Sequence, residues 1–525
     1  MIEHYDAIAT LADIPDHHAR ITPDRVALIA GERRVSYAEL AERSDRVARA
    51  LVDAGLGRRS RVAMLGADSD RSYELLFGCA KAAMVMLSIN WRLEAGEIAY
   101  IVEDAEAELL FVTPEMAAIA EAFAASCPRL KAVIRLDDTA YPTWRDAAPA
   151  GAATVCRRPA IEPAQPVVQV YTSGTSGRPK GVVLSHRCFL EVIREVVRAG
   201  DELIAWRPGD VTLLALPTFH VGGMWFAIHG MVTGATGVVM KAFNAAAALA
   251  LIEQYRVTKV AFVPAMIRFM LSEPTSRSAD LSSVDQLIYG GSPMPPPLLA
   301  KARAWFKCPF NQNYGLSETA NMAVFMPSSE YHDLANPRLE AAGKPLRGIA
   351  VQILDAEGRV LPPGQVGEIA LQTAGHMLEY WKLPAETAKT LVDGWIHTGD
   401  AGYVDEDGFV YLTDRIKDLI ISAGENIYPA EIERVLCQHD DIAEVAVIGV
   451  PDDRWGEVPV AIVVRRPGST LSKADVLSFA RKRLASFKML RTVEFADALP
   501  RNSSGKVLRR VLREPYWTGR QKRIN

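Results

Sequence analysis

Cysteine is scarce in this chain: six in 525 residues, at Cys79, Cys127, Cys156, Cys188, Cys308 and Cys437. They are scattered, with no CxxC pair and no histidine at zinc-partner spacing, which excludes a disulfide framework and a thiolate metal site. Free thiols in a reducing compartment are expected instead. A charge excess is also missing. Lys+Arg is 59 and Asp+Glu is 63, leaving −4, so no nucleic-acid partner is expected. The start, Met1-Ile2-Glu3-His4-Tyr5-Asp6, lacks the basic opening and apolar core of a signal peptide. Long apolar runs are absent too. The best candidate, residues 211–240, is interrupted by Pro217, His220, His229 and several glycines, so no transmembrane segment is expected. There is no internal repeat or low-complexity tract. The expected location is cytoplasmic.

What remains has 49% hydrophobic and 23% charged residues, a globular composition in a chain too long for one ordinary domain. The first 160 residues alternate. Apolar spacing predicts helices over 37–52 and 75–83, with short buried strands over 61–66 and 108–112. This βαβ rhythm predicts a layered α/β sheet. A Pro-rich linker, 158–166, precedes an apolar strand at 167–171, and strands are expected at 213–216, 260–263 and 286–289. From Val351 the pattern changes to paired strands at 351–354 and 368–371. A hairpin is expected about Asp405-Glu406-Asp407-Gly408. A compact α+β unit follows: helix 430–438, strands 445–450 and 458–464, helix 473–484. The expected fold is α/β, with layered α/β subdomains and a β-rich subdomain over 1–416 and a small α+β domain over 417–525.

The most informative string is Tyr171-Thr172-Ser173-Gly174-Thr175-Ser176-Gly177-Arg178-Pro179-Lys180-Gly181, directly after a buried strand. Glycines let backbone N–H groups approach oxyanions, hydroxyls donate hydrogen bonds and the lysine adds charge, which suits a polyphosphate. It is not a Walker A loop, because no GK[ST] opens a helix. The string resembles the phosphate-loop signature of the adenylate-forming superfamily: acyl- and aryl-CoA synthetases, carrier-protein adenylation domains and beetle luciferases. The resemblance covers nearly the whole chain, through ordered matches at Leu216-Pro217-Thr218-Phe219-His220, Gly290-Gly291-Ser292-Pro293-Met294, Asn313-Tyr314-Gly315-Leu316-Ser317-Glu318-Thr319 and Gly394-Trp395-Ile396-His397-Thr398-Gly399-Asp400. Asp414-Arg415-Ile416-Lys417-Asp418, Ser422-Ala423-Gly424-Glu425-Asn426 and Pro500-Arg501-Asn502-Ser503-Ser504-Gly505-Lys506 complete the series.

The resemblance implies ATP-dependent joining of a carboxylic acid to AMP, followed by transfer of the acyl group to a thiol. Two anions meet in the first step, so cationic help is needed. Lys506 is implied as the catalytic lysine, and Glu318, with Thr175, as the holder of Mg2+. Thr172, Ser173, Gly174, Thr175, Ser176, Gly177 and Lys180 would hold phosphates. Ser317 keeps the hydroxyl of the threonine found in many relatives. Gly290, Gly291, Ser292, Asn313, Tyr314 and Gly315 would surround adenine, and Asp400 with Arg415 the ribose. A mobile C-terminal domain is implied to swing about Lys417 between the two steps, bringing Gly424 to the thiol tunnel.

Phe219 and His220 resemble the aromatic–His pair beside the acid. Amino-acid adenylation domains carry Asp at the second position to bind the substrate ammonium, so an α-amino acid is disfavoured. By alignment the acid pocket comprises Val221, Gly222, Gly223, Met224, Trp225, Leu316, Asn321, Met322, Ala323 and Val324. This apolar lining, with paired glycines leaving room, favours an alkyl, alicyclic or aryl acid. Trp455, Phe487 and Lys488 resemble a coenzyme A site, so CoA is the expected acceptor; the alternative is a carrier-protein thiol. The sequence carries no signal for oligomeric state, and a homodimer is compatible with it.

Overall fold

In the computed structural model, residues 2–147, 160–172, 178–200, 203–333, 335–415, 418–422, 425–452, 454–484, 488–501 and 507–518 are described. The chain divides into two compact units: Met1–Val351 with Leu371–Ile396, and Gln352–Ala370 with His397–Asn525. The α/β class is as expected from the sequence.

The first unit holds two sheets. The smaller runs Glu379–Tyr380, Lys180–Ser185, Pro166–Thr172, Val85–Ile89, Arg61–Leu65, Ala107–Val112, Ala132–Arg135. Its inner pairings from Pro166–Thr172 to Ala132–Arg135 are parallel, as crossover helices require. Helix Tyr37–Asp53, which leads into strand Arg61–Leu65, starts at a capping box in which Ser36 and Glu39 satisfy each other's backbone N–H groups. Helix Asp70–Lys81 is buried along its whole length, and its charged groups are paired. The Lys81 ammonium meets Asp16 at 2.8 Å and Asp45 at 2.9 Å. The core of this sheet gathers Leu65, Leu87, Ile98, Ile101, Leu110 and Phe123.

The larger sheet has nine strands, with Phe310–Tyr314, Gln286–Gly290, Lys259–Phe262, Val211–Leu214, Thr236–Val239 and Val26–Ala30 as its parallel centre. The segments quoted from the sequence as motifs sit just beyond the carboxyl ends of these strands, at 216–220, 290–292 and 315–319. In open parallel sheets those ends are where ligands bind.

In the second unit, residues 400–404 pair antiparallel with Val410–Arg415 around the expected hairpin. Asp405 Oδ1 accepts from the N–H groups of Asp407 and Phe409, and Gly408 supplies the left-handed turn at φ 82°. Ile442–Asp452 and Gly456–Arg465 form a long antiparallel pair, flanked by Ile420–Ser422 and Thr492–Phe495. Helices Pro429–Leu436 and Lys473–Arg481 contribute Ile432, Leu436, Val476 and Ala480 to the core on one face.

Candidate active site

Strands Pro166–Thr172 and Lys180–Ser185 carry the two ends of the hydroxyl- and glycine-rich loop, with Thr172 directly opposite Lys180. Ser173, Gly174, Thr175, Ser176 and Gly177 lie outside the described residues, as do Lys417, Gly424, Phe487 and Lys506.

Lys180 Nζ lies 2.6 Å from Glu386 Oε2 and 5.2 Å from the centroid of the Tyr380 ring. Tyr380 reaches it because strand Glu379–Tyr380 adds to the edge of Lys180–Ser185, opposite Val182. The Tyr380 hydroxyl donates to Glu318 Oε1 at 2.6 Å, while the Met377 N–H donates to the Glu318 carbonyl at 2.7 Å. Burial, reinforced by the Glu318 carboxylate, pushes the Tyr380 phenol far above its ordinary range, so it stays a donor. The hydrogen bond from Lys180 holds the Glu386 carboxyl below its ordinary range. One corner of the first unit thus collects Lys180, an aromatic face and the carboxylates of Glu318 and Glu386. Tyr380 and Glu386 were not among the residues singled out from the sequence. The only local signal is an aromatic pair, Tyr380-Trp381, set among charges.

Gly290 and Asn313 face each other across parallel strands. A Cβ at Gly290 would run into the Asn313 carbonyl oxygen, so glycine is required by the close approach. Asn313 Nδ2 donates to the Asn321 carbonyl at 2.8 Å, whereas its Oδ1 is buried with no hydrogen-bond partner. A buried acceptor left open here fits an amino group such as that of adenine. Gly315 packs onto the backbone of Asn321 and Met322, and Ser292 is exposed.

Phe219 and His220 pack edge to face with centroids 4.7 Å apart, and His220 immediately precedes helix Val221–Val232. Gly222 lies against the Asn321 carboxamide; an added Cβ would meet its Oδ1 at 3.4 Å. The expectation that both glycines leave room is corrected at Gly223. The space there is filled by the carbonyl oxygens of Leu216 and Pro217, so this glycine lets the helix start abut the preceding turn. Val221, Met224, Trp225, Met322 and Ala323 are buried, and Leu316 is half-buried.

In the second unit, Asp400 and Arg415 are directly opposite on antiparallel strands, and Asp400 is buried. Glu368 fixes this strand by accepting from the Gly399 N–H at 3.0 Å and meeting His397 Nδ1 at 2.9 Å. Trp455 is 42% exposed, which rules out a packed core role, and the Arg454 guanidinium lies 4.6 Å over its ring. Lys488 is bound by both Glu431 oxygens at 2.7 Å. Arg509 is held by Glu433 at 2.8 Å. Among the described residues, the one group of three metal-capable side chains is His4, His17 and His18. His4 and His17 share a 2.9 Å hydrogen bond and His18 Nε2 meets the Val232 carbonyl, whereas His18 Nδ1 is buried without a hydrogen-bond partner.

The AMP-binding enzyme family matches residues 15–381, and the AMP-binding enzyme C-terminal domain matches 431–506. The chain belongs to this adenylate-forming family and is an AMP-forming acid–thiol ligase. It is 44% identical to a fatty acid–[acyl-carrier-protein] ligase of Streptomyces coeruleorubidus, over 99% of both chains. It is 36% identical to a feruloyl-CoA synthase of an Amycolatopsis species, over 96% of this chain and 99% of the relative. The crystal structure of ATP-bound MatB from Rhodopseudomonas palustris superposes with a TM-score of 0.85 at 31% identity, covering 96% of this chain and 99% of that one. Among the described residues, no helix is long and apolar enough to cross a membrane.

Proposed function

We propose that the protein activates a hydrophobic carboxylic acid with ATP and Mg2+ and passes the acyl group to coenzyme A. The observation that carries this reading is the corner joining Lys180, Tyr380 and Glu318. There a cation suited to phosphate oxygens and a carboxylate suited to a hard metal ion share one aromatic spacer. The acid's carboxylate oxygen attacks the α-phosphorus and the bond to pyrophosphate breaks. The thiol sulfur then attacks the acyl carbon, the bond to AMP breaks and the thiol proton is released.

Lys180 would bind the β- and γ-phosphates together with Thr172, Thr175 and their loop. Glu318, already oriented through one oxygen by Tyr380, would hold Mg2+, which neutralises nucleotide charge when bound. Asp400 and Arg415 would hold the ribose, and Lys506 would stabilise the reacting carboxylate and phosphate. Phe219 and His220 would face the acid, with Leu316 and Gly222 bordering its chain. The 417–525 domain would turn about Lys417 and bring Gly424 to the thiol, while the exposed Trp455 face would offer a stacking surface for the CoA adenine.

A carrier-protein thiol as acceptor is the second reading. It is favoured by the 44% identity, end to end, with a ligase that loads a carrier protein. One experiment tests both. A panel of alkyl, alicyclic and aryl acids is assayed for AMP release with CoA, with a phosphopantetheinylated carrier protein and with neither. Release that needs CoA supports the first reading, and release that needs only the carrier protein supports the second. No pyrophosphate from any acid would overturn both.

A further inference from the structure

The turn that carries Phe219 and His220 is held from outside by a buried carboxylate. The Pro217 carbonyl accepts from the His220 N–H at 3.1 Å, which closes the turn. That bond leaves the Thr218 N–H, at the turn's first central position, without a partner inside it. Asp68 supplies one: Oδ2 accepts from the Thr218 N–H at 2.8 Å, and Oδ1 accepts from the Thr218 hydroxyl at 2.5 Å. Ser88 Oγ lies 2.9 Å from Thr218 Oγ1 and completes the chain. Asp68 follows strand Arg61–Leu65 of the seven-stranded sheet, whereas Thr218 follows Val211–Leu214 of the nine-stranded sheet. The clamp therefore ties together the carboxyl ends of strands from two different sheets, across 150 residues of sequence.

We infer that Asp68 is a positioning residue for the acid-binding turn: by gripping both polar groups of Thr218 it sets where Phe219 and His220 stand. This rests on the assignment of Phe219 and His220 to the acid's carboxylate. Both Asp68 and Thr218 are buried, and among the described residues Asp68 forms no ion pair. A buried carboxylate without a countercharge is a costly way to fill a core. Burial accordingly pushes the Asp68 carboxyl up to about 6, against the opposing pull of the Thr218 hydrogen bonds. Its two acceptors match the two donors of one turn residue, and this fixes both the height and the rotation of the turn. With Thr218 fixed, the edge-to-face packing of Phe219 on His220 follows. So does the entry of the chain into helix Val221–Val232, whose first turn is closed by the Gly223 N–H on the His220 carbonyl at 3.0 Å.

The chemistry of the clamp also says which substitutions should spare it. An asparagine at 68 can accept from the Thr218 N–H through its oxygen and donate to Thr218 Oγ1 through its amide, while Thr218 donates onward to Ser88. Alanine at 68 can do neither, and valine at 218 removes the hydroxyl while keeping the shape. The test is ATP–pyrophosphate exchange, with the best acid from the panel above, on Asp68→Ala, Asp68→Asn, Thr218→Val and Thr218→Ser. Asp68→Ala and Thr218→Val should raise KM for the acid about tenfold with KM for ATP changed less than about twofold, and Asp68→Asn and Thr218→Ser should stay near wild type. A merely structural contact would lower the active fraction and leave both KM values alone. If Asp68→Ala does not fold, Thr218→Val against Thr218→Ser decides. Unchanged acid KM in the disruptive variants, or an equal rise for acid and ATP, overturns the inference. A wild-type enzyme with no exchange at all would instead strike the functional reading beneath it.

Discussion

At the scale of single residues, the Asp68 carboxylate makes stability depend on pH in an unusual direction. Its folded-state value of about 6 lies above the ordinary aspartate value near 4. Between those values the folded chain holds more protons at this site than the unfolded one. The contribution is therefore fully present below about pH 4 and is lost as pH rises through about 6. A shift of about two units corresponds to roughly 3 kcal/mol. Asp68→Asn removes the titration. Its stability relative to wild type should rise by roughly 1–3 kcal/mol between pH 5 and pH 8, measured from urea midpoints. No gain with pH would show that this carboxyl does not titrate as described. The positions of the motif residues were legible beforehand: Glu318, Asn313, Phe219 and His220 fall at or just beyond the strand ends. Their partners were not. Asp68 and Thr218 are 150 residues apart, Tyr380 and Glu318 are 62 apart, and Lys180 and Glu386 are 206 apart. Such pairs are set by which strands lie side by side, and local spacing holds no trace of that.

At the scale of elements, helix Val221–Val232 separates two neighbouring glycines by what lies against them. Alanine at Gly223 would press on the carbonyl oxygens of Leu216 and Pro217, which are backbone and cannot swing aside. Gly223→Ala should therefore cost about 1–3 kcal/mol. Gly222→Ala meets the end of a side chain at ordinary contact distance and gains helix propensity, so it should be neutral or stabilising by up to about 1 kcal/mol. Chemical denaturation of the two variants gives the comparison, and equal losses would refute the asymmetry. Elements with a clear period were readable from the sequence: the expected helix over 37–52 is observed at Tyr37–Asp53, and the strand over 61–66 at Arg61–Leu65. Strand Val85–Ile89 escaped notice because all five of its residues are buried. A strand covered on both faces shows no alternation and reads as a continuation of the apolar helix before it.

At the scale of the whole molecule, Lys180 and Glu318 belong to the first compact unit and Asp400 and Arg415 to the second. Residues 397–416 group with the tail, although the proposed pivot is at Lys417. A pivot marks where the chain bends, whereas compactness marks which residues pack, so the two need not coincide. If the tail domain serves the two steps in turn, they should be separable by mutation. Lys506→Ala should reduce acyl-adenylate formation by about 10²–10³ while largely sparing thioester formation from supplied acyl-AMP, and Gly424→Leu should do the reverse. Single-turnover assays of each step read this out, and equal damage to both steps in either variant would argue against the division of labour. The Lys180–Glu386 pair adds a consequence for the resting enzyme. A lysine that already has an internal carboxylate for company is a poor host for chloride or a lone phosphate, which must evict that carboxylate in exchange for a single weak bond. A chain of linked phosphates would arrive with several bonds at once, so in the proposed role of Lys180 this pair would favour the nucleotide over small anions.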